Sequence, residues 1–184
     1  MKGLPFLLAA LLFAAPLRPA MAATTSIDVR QTEDGEVSIV ATALIAADLH
    51  TAWGVLTDYE RYPEFIPGVR RSRVVTREGD TARVEQSVDP PAWAFSGPMA
   101  VEYEITESRP GRLQSRGTAR GSLLESAYRL TPTDAGVRLD YTGRLVVPPG
   151  WLASMSRRTG ERMLSQEFQA LADEIELRGR GAAR

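Results

Sequence analysis

The stretch AWGVLTDYERYPEFIPG, residues 52–68, decides how the rest of this chain is read. Ala52, Val55 and Leu56 fall on one side of a short helix, with Trp53 on an adjoining side. That helix stops at Thr57-Asp58, and an aromatic-rich turn follows with Tyr59, Tyr62 and Phe65. Pro63 and Pro67 punctuate the turn, because proline lacks a backbone donor and disfavours helix at the residue before it. Two helices this brief do not hold in water by themselves, so they must rest on something larger.

Toward the N-terminus the larger element begins as a strand pair. Residues 27–32 and 36–45 flank Glu33-Asp34-Gly35, and an Asp-Gly pair between strands is a strong hairpin signal. Residues 24–26 read as a frayed lead-in. In the second arm Val37, Ile39, Ala41, Ala43 and Ile45 alternate with mostly polar residues, and Asp48 is placed to cap the helix carrying Trp53.

Toward the C-terminus the period changes to two. Residues 69–77 form a strand bearing Arg70, Arg71, Arg73 and Arg77. In residues 81–88, Ala82, Val84, Gln86 and Val88 share a face. Residues 89–98, DPPAWAFSGP, cannot be a central strand because their prolines remove ladder donors, so they form a loop or edge. Met99, Val101, Tyr103 and Ile105 alternate inward. Pro110-Gly111 turns the chain into residues 112–119, and Gly121 breaks it again. Leu124, Ser126, Tyr128 and Leu130 share a face, as do Val137, Leu139, Tyr141, Gly143, Leu145 and Val147. Pro148-Pro149-Gly150 ends the sheet, and residues 151–177 read as one helix, with Leu152, Met155, Thr159, Met163, Leu164, Phe168, Leu171 and Ile175 in a stripe at helical spacing. The expected fold is α+β. A curved antiparallel sheet wraps around a long C-terminal helix, with two short helices after the first strands. A curved sheet closed by one helix rarely fills with side chains, so a cavity between them is expected.

Length and composition agree with one domain: 184 residues, 43% hydrophobic and 24% charged. The first residues differ. Met1-Lys2, an apolar run over residues 4–15 and the small-x-small site Ala20-Met21-Ala22 make a secretory signal peptide, cut near Ala22, too short for a stop-transfer helix. A retained membrane anchor is the alternative. Residues 1–22 are thus a leader, 23–178 the domain and 179–184 a disordered tail. Removing the leader takes away Lys2 and Arg18 and moves the net charge from −1 to −3. No basic surplus remains to suggest nucleic acid. Cysteine is absent; an exported protein held by its core alone fits a periplasm better than a disulfide scaffold.

Residues 52–67 resemble the START-like, helix-grip superfamily, and within it the polyketide cyclase/dehydrase and coenzyme Q-binding group, whose pattern is a helix, "T-D" and "Y-P-x-F-x-P". Looser matches run from Gly121 through Tyr128-Arg129-Leu130 and over residues 148–152; relatives more often carry Trp where Tyr128 stands. The resemblance implies a helix-grip fold that binds lipids, quinones, sterols or polyketides, a minority of its members being cyclases or dehydratases. One branch associates with ribosomes, a role that an exported chain does not share.

On this reading Met99, Tyr103, Tyr128, Tyr141, Met155 and Met163 face the cavity, either as plain core or as ligand contacts. Three tyrosines on one inner face need partners for their hydroxyls, which a ligand head or water would supply. Gln86 is a further inward polar group. Trp93, Phe95 and Trp151 lie near the expected mouth, as a gate that admits a greasy ligand and touches a membrane, or as a cap on the core. Asp58, Glu60 and Glu64 cluster at the bend, where Asp58 is expected to cap the following turn rather than do acid–base work. The arginines of residues 70–77 read as a solvated edge strand or a receiver of an anionic head group, and Arg157-Arg158 could act likewise. His50 is the one histidine, so no metal site is expected. No nucleophile elbow and no phosphate loop are present, and no catalytic residue or cofactor is assigned. No Asp, Glu or His is expected inside the cavity. The function expected is an exported carrier of a hydrophobic small molecule. The alternative is a cyclase/dehydratase-type enzyme using the same cavity.

Overall fold

The structure of the protein, a computed structural model, describes residues 23–31, 36–89, 97–148 and 157–182, with side chains from Gly160 onward in the last stretch. Eight strands form its sheet: β1 (Thr24–Gln31), β2 (Glu36–Ile45), β3 (Val69–Glu78), β4 (Thr81–Val88), β5 (Met99–Ser108), β6 (Arg112–Ala119), β7 (Ser122–Thr133) and β8 (Gly136–Val146). They lie in the order β1-β2-β8-β7-β6-β5-β4-β3, every pairing antiparallel. A hairpin and a six-strand meander therefore join where β2 meets β8. Thr24–Ser26 is not a frayed lead-in: it pairs with Leu44–Thr42 and belongs to β1.

Between β2 and β3 sit α1 (Leu49–Leu56), a single 3-10 turn (Tyr59–Arg61) and α2 (Tyr62–Phe65). The Asp48 carboxylate caps α1, accepting from the Thr51 amide at 2.8 Å; that bond and one from the Thr51 hydroxyl hold its pKa below the usual range. Tyr62 donates its hydroxyl to the Leu56 carbonyl at 2.7 Å, so the second turn folds back onto the end of the first. The rings of Tyr59, Tyr62 and Phe65 then meet edge to face at 5.9 and 5.5 Å. Asp58 makes no side-chain cap, contrary to expectation. Its carboxylate instead accepts from Arg178 of the C-terminal helix at 2.7 Å, a partner 120 residues away that no local rule could reveal.

The C-terminal helix α3 (Arg157–Ala182) lays Phe168, Leu171, Ala172 and Ile175 onto α1, β1 and β2. The expected disordered tail from residue 179 is corrected, since the helix runs on to Ala182. Gly179 fits so closely on Ala47 that a Cβ there would come within 2.8 Å of the Ala47 Cβ. Arg178 beside it bonds both Asp58 and Glu174. Docking, not propensity, keeps this last turn helical.

β3 is an edge strand with two register shifts, at Val69/Arg71 and Val74/Thr76. Its arginines are mostly committed: Arg73 to Glu85 and Arg70 to Asp89, while Arg77 reaches across to Glu107. The edge is thus a charged, bulged one of the kind that resists pairing with other chains.

Candidate functional site

Between the inner sheet face and α3 lies a hollow of about 340 Å³. Alternation brings it side chains from β2 and from β4 through β8, and α3 contributes Met163, Leu164, Glu167, Phe168 and Leu171. Exposed residues Pro67, Gly68 and Asp89 line one end, so the hollow reaches the surface there. Gln86, Met99, Tyr103, Tyr128, Tyr141 and Met163, all expected at the cavity from sequence, lie on its wall. Trp93, Phe95, Trp151 and Met155 lie outside the described residues, as do the leader and the side chains of Arg157 and Arg158.

Two glycines keep the space open. A Cβ at Gly117, which pairs with Tyr103, would stand 2.5 Å from the tyrosine ring. One at Gly143 would stand 2.5 Å from the Tyr141 hydroxyl oxygen. Each ring passes over a position that carries no side chain, so a methyl there would force the tyrosine to move.

The polar groups of the wall fall into two sets. In the first, Ser115 and Ser126 share a hydrogen bond of 2.7 Å, Tyr141 bonds Ser126, and Gln86 donates to Ser72 at 3.2 Å. In the second, the hydroxyls of Tyr103 and Tyr128 and the carboxyl of Glu167 have no hydrogen-bond partner among the described residues. Burial drives the phenols of Tyr103 and Tyr128 well above their ordinary value, and the Tyr141 phenol up to about 12. The three are near enough to Glu167 for its charge to push each further up.

Glu167 corrects the expectation that no acid faces the cavity. It sits four residues after Met163 and four before Leu171, within the apolar stripe of α3, and it lines the hollow half-buried. Burial alone raises its pKa to about 7. The helical spacing carries the signal, since Met163, Glu167 and Leu171 follow one another at intervals of four. Asp89 also lines the hollow, at its exposed rim, where it is ion-paired with Arg70.

A second interior carboxylate went unnoticed as well. Glu107, only 1% exposed, accepts from the Tyr59 hydroxyl at 2.9 Å, from Arg77 at 2.8 Å and from Arg109 at 3.0 Å. Burial pushes its pKa up, but the bonds from Arg77, Tyr59 and Arg109 outweigh burial and hold it below the usual carboxylate range. It fastens the bend between α1 and α2 to the end of β5 and does not line the hollow. The bend's own carboxylates stay outside too: Asp58 pairs with Arg178 and Glu64 with Arg61, while Glu60 and His50 are exposed.

Comparison with known proteins completes the picture. Residues 36–176 match the family model described as polyketide cyclase / dehydrase and lipid transport. Similar solved structures include the STAR-related lipid transfer protein of Xanthomonas axonopodis, with 18% identity over 82% of this chain and 93% of that one, at a TM-score of 0.66. The Zhui aromatase/cyclase of Streptomyces sp. R1128 is 16% identical over 81% and 95%, at 0.59. The di-domain ARO/CYC StfQ from the steffimycin biosynthetic pathway is 16% identical over 82% of this chain and 52% of that one, at 0.68. At such identities the likeness is one of fold. A search of curated proteins finds no match. The sheet gripping α3, the hollow between them and a family match spanning most of the sequence agree: this chain belongs to the polyketide cyclase / dehydrase and lipid transport family, with the START-like helix-grip fold.

Proposed function

We propose that this chain is an exported carrier that holds a hydrophobic small molecule, a lipid, quinone or polyketide-like compound, in the hollow under α3. The observation that carries the reading is the wall itself: aliphatic and aromatic apart from a few hydroxyls, Gln86, Glu167 and Asp89 at the rim, with no Arg, Lys or His among the described residues lining it. Such a surface favours burying apolar area and offers few groups to orient a ligand, as expected of a small-molecule pocket. Export rests on the leader of residues 1–22, and loading at a membrane surface on the composition of the Trp93, Phe95 and Trp151 segments. No described helix is long and apolar enough to cross a membrane.

Glu167 favours a second reading, a cyclase or dehydratase acting on a hydrophobic substrate. Dehydration requires proton removal and proton delivery. The tyrosines nearby, with pKa values pushed up, hold their protons at neutral pH, so they can donate but not remove a proton, and Glu167 would have to be the base. The carrier is the simpler account of the wall.

Native mass spectrometry of the protein recovered from cells that make it, followed by solvent extraction, tests the choice. A hydrophobic adduct released unchanged supports the carrier. A bound molecule that the protein converts to a cyclised or dehydrated product supports the enzyme. A protein that carries no adduct and takes up no hydrophobic dye sinks both.

A further inference from the structure

Glu167 alone among the described carboxylates lines the inside of the hollow, half-buried there, with no partner among the described residues. The groups that face it are Tyr103 from β5, Tyr128 from β7 and Tyr141 from β8. Tyr59 and Tyr62 from the bend also line the hollow, but their hydroxyls are committed to Glu107 and to the Leu56 carbonyl. Gln86 from β4 is bonded to Ser72, and Asp89 at the rim to Arg70. From α3 itself the neighbours on the wall are Gly160, Met163, Leu164, Phe168 and Leu171, none of which titrates. Among the described residues no cation lines the space, so none of them balances a charge there.

A carboxylate without a counter-charge is disfavoured against the neutral acid in such surroundings, so the acid form persists to higher pH than it does in water. As the acid, Glu167 is a donor, and the unpartnered hydroxyls of Tyr103 and Tyr128 are donors beside it. Three hydroxyl-type donors around an apolar space match an oxygen that accepts and carries no charge. We propose that Glu167, with Tyr103 and Tyr128, forms the head-group site of the hollow and receives the carbonyl oxygen of an uncharged ligand of ketone or ester type. Fatty acids and phosphates are turned away, since their anions meet a second acid and, among the described residues, no cation. This deepens the carrier reading and rests on it.

The site makes loading depend on pH. The acid form, present below about 7, donates to the carbonyl. Above that value the ionised group has no hydrogen to give and repels the carbonyl oxygen, so affinity falls.

The experiment is displacement of diphenylhexatriene, a hydrocarbon dye without polar atoms, by tridecane, methyl undecyl ketone, dodecylamine and laurate. Each is titrated at about pH 5.5 and about pH 8.5, either side of the carboxyl's transition. The ketone is expected to bind roughly ten-fold tighter at the lower pH, and tridecane equally at both. Glu167→Gln, whose amide donates without titrating, is expected to bind the ketone alike at both values. Glu167→Leu should bind the ketone more weakly than the unaltered protein does at the lower pH, and alike at both values, since only Tyr103 and Tyr128 remain to donate. A pH-independent ketone affinity in the unaltered protein, or dodecylamine or laurate proving the best competitor, overturns the proposal while the carrier reading stands. Failure of the dye and tridecane to enter at all overturns both.

Discussion

Glu107 and Glu167 are the same residue type, both drawn into the interior, and the fold treats them in opposite ways. Glu107 is fully enclosed and answered by Tyr59, Arg77 and Arg109, and its pKa lies below the usual range. Glu167 is answered by none of the described residues, and burial lifts its pKa to about 7. The difference teaches how to separate an interior charge that holds the fold from one that is available to a ligand. The first has its lone pairs filled by the protein; the second leaves them, and its proton, to whatever enters the hollow.

The comparison breaks most visibly at Glu107. Glu107→Ala deprives the Tyr59 hydroxyl and two guanidinium groups of their acceptor and is expected to cost about 3 kcal/mol in a urea titration at neutral pH. The unaltered protein should approach the mutant's stability on acidification. A carboxylate with a lowered folded pKa contributes its stability above the unfolded value, about 4.5, and loses it as pH falls through the folded one.

Glu167→Gln should act with the opposite sign. A folded pKa of about 7 against 4.5 unfolded means that ionisation penalises the native state. The unaltered protein therefore loses stability as pH rises from about 4.5 to about 7 and regains none above. The substitution is expected to raise stability by about 2 kcal/mol at pH 8 and to have little effect at pH 4, as thermal melts at both values would report. A mutant that is less stable at pH 8 would mean that Glu167 has a partner after all.

Smaller effects sharpen the contrast. Gly117→Ala drives a methyl into the Tyr103 ring and should tilt it into the hollow. It is expected to cost about 1–2 kcal/mol while lowering dye uptake disproportionately, a loss that equilibrium fluorescence would measure. Asp48→Ala removes an exposed carboxylate whose role is local, the cap of α1. About 1 kcal/mol of stability should go, with dye binding unchanged.

Much of this was legible beforehand because it is periodic or local. The alternation in β2, β5 and β8 placed Ile39, Tyr103 and Tyr141 on the inner face, where they line the hollow. The Asp48 cap is a property of adjacent residues. Glu107 and Glu167 were in reach of the same rules. Glu107 continues the inward series Met99, Val101, Tyr103 and Ile105 of β5, and Glu167 interrupts the α3 stripe at its own spacing. Both were passed over because a charged residue on an apolar face reads as the end of a pattern. The turn at Asp58 failed for a different reason, since its partner is Arg178, at the far end of the chain.

By itself, then, the sequence determined which faces turn inward, where the strands break, and that one amphipathic helix must cover a curved sheet. Strand alternation and helical spacing are set by backbone geometry and can be read one segment at a time. Which interior acid is neutralised and which is left exposed to the hollow was decided only in the tertiary structure. That choice depends on whether Tyr59, Arg77 and Arg109 arrive at one point from separate elements, and on none arriving at Glu167. Desolvation and hydrogen bonding act over a few ångströms in space, whatever the distance along the chain.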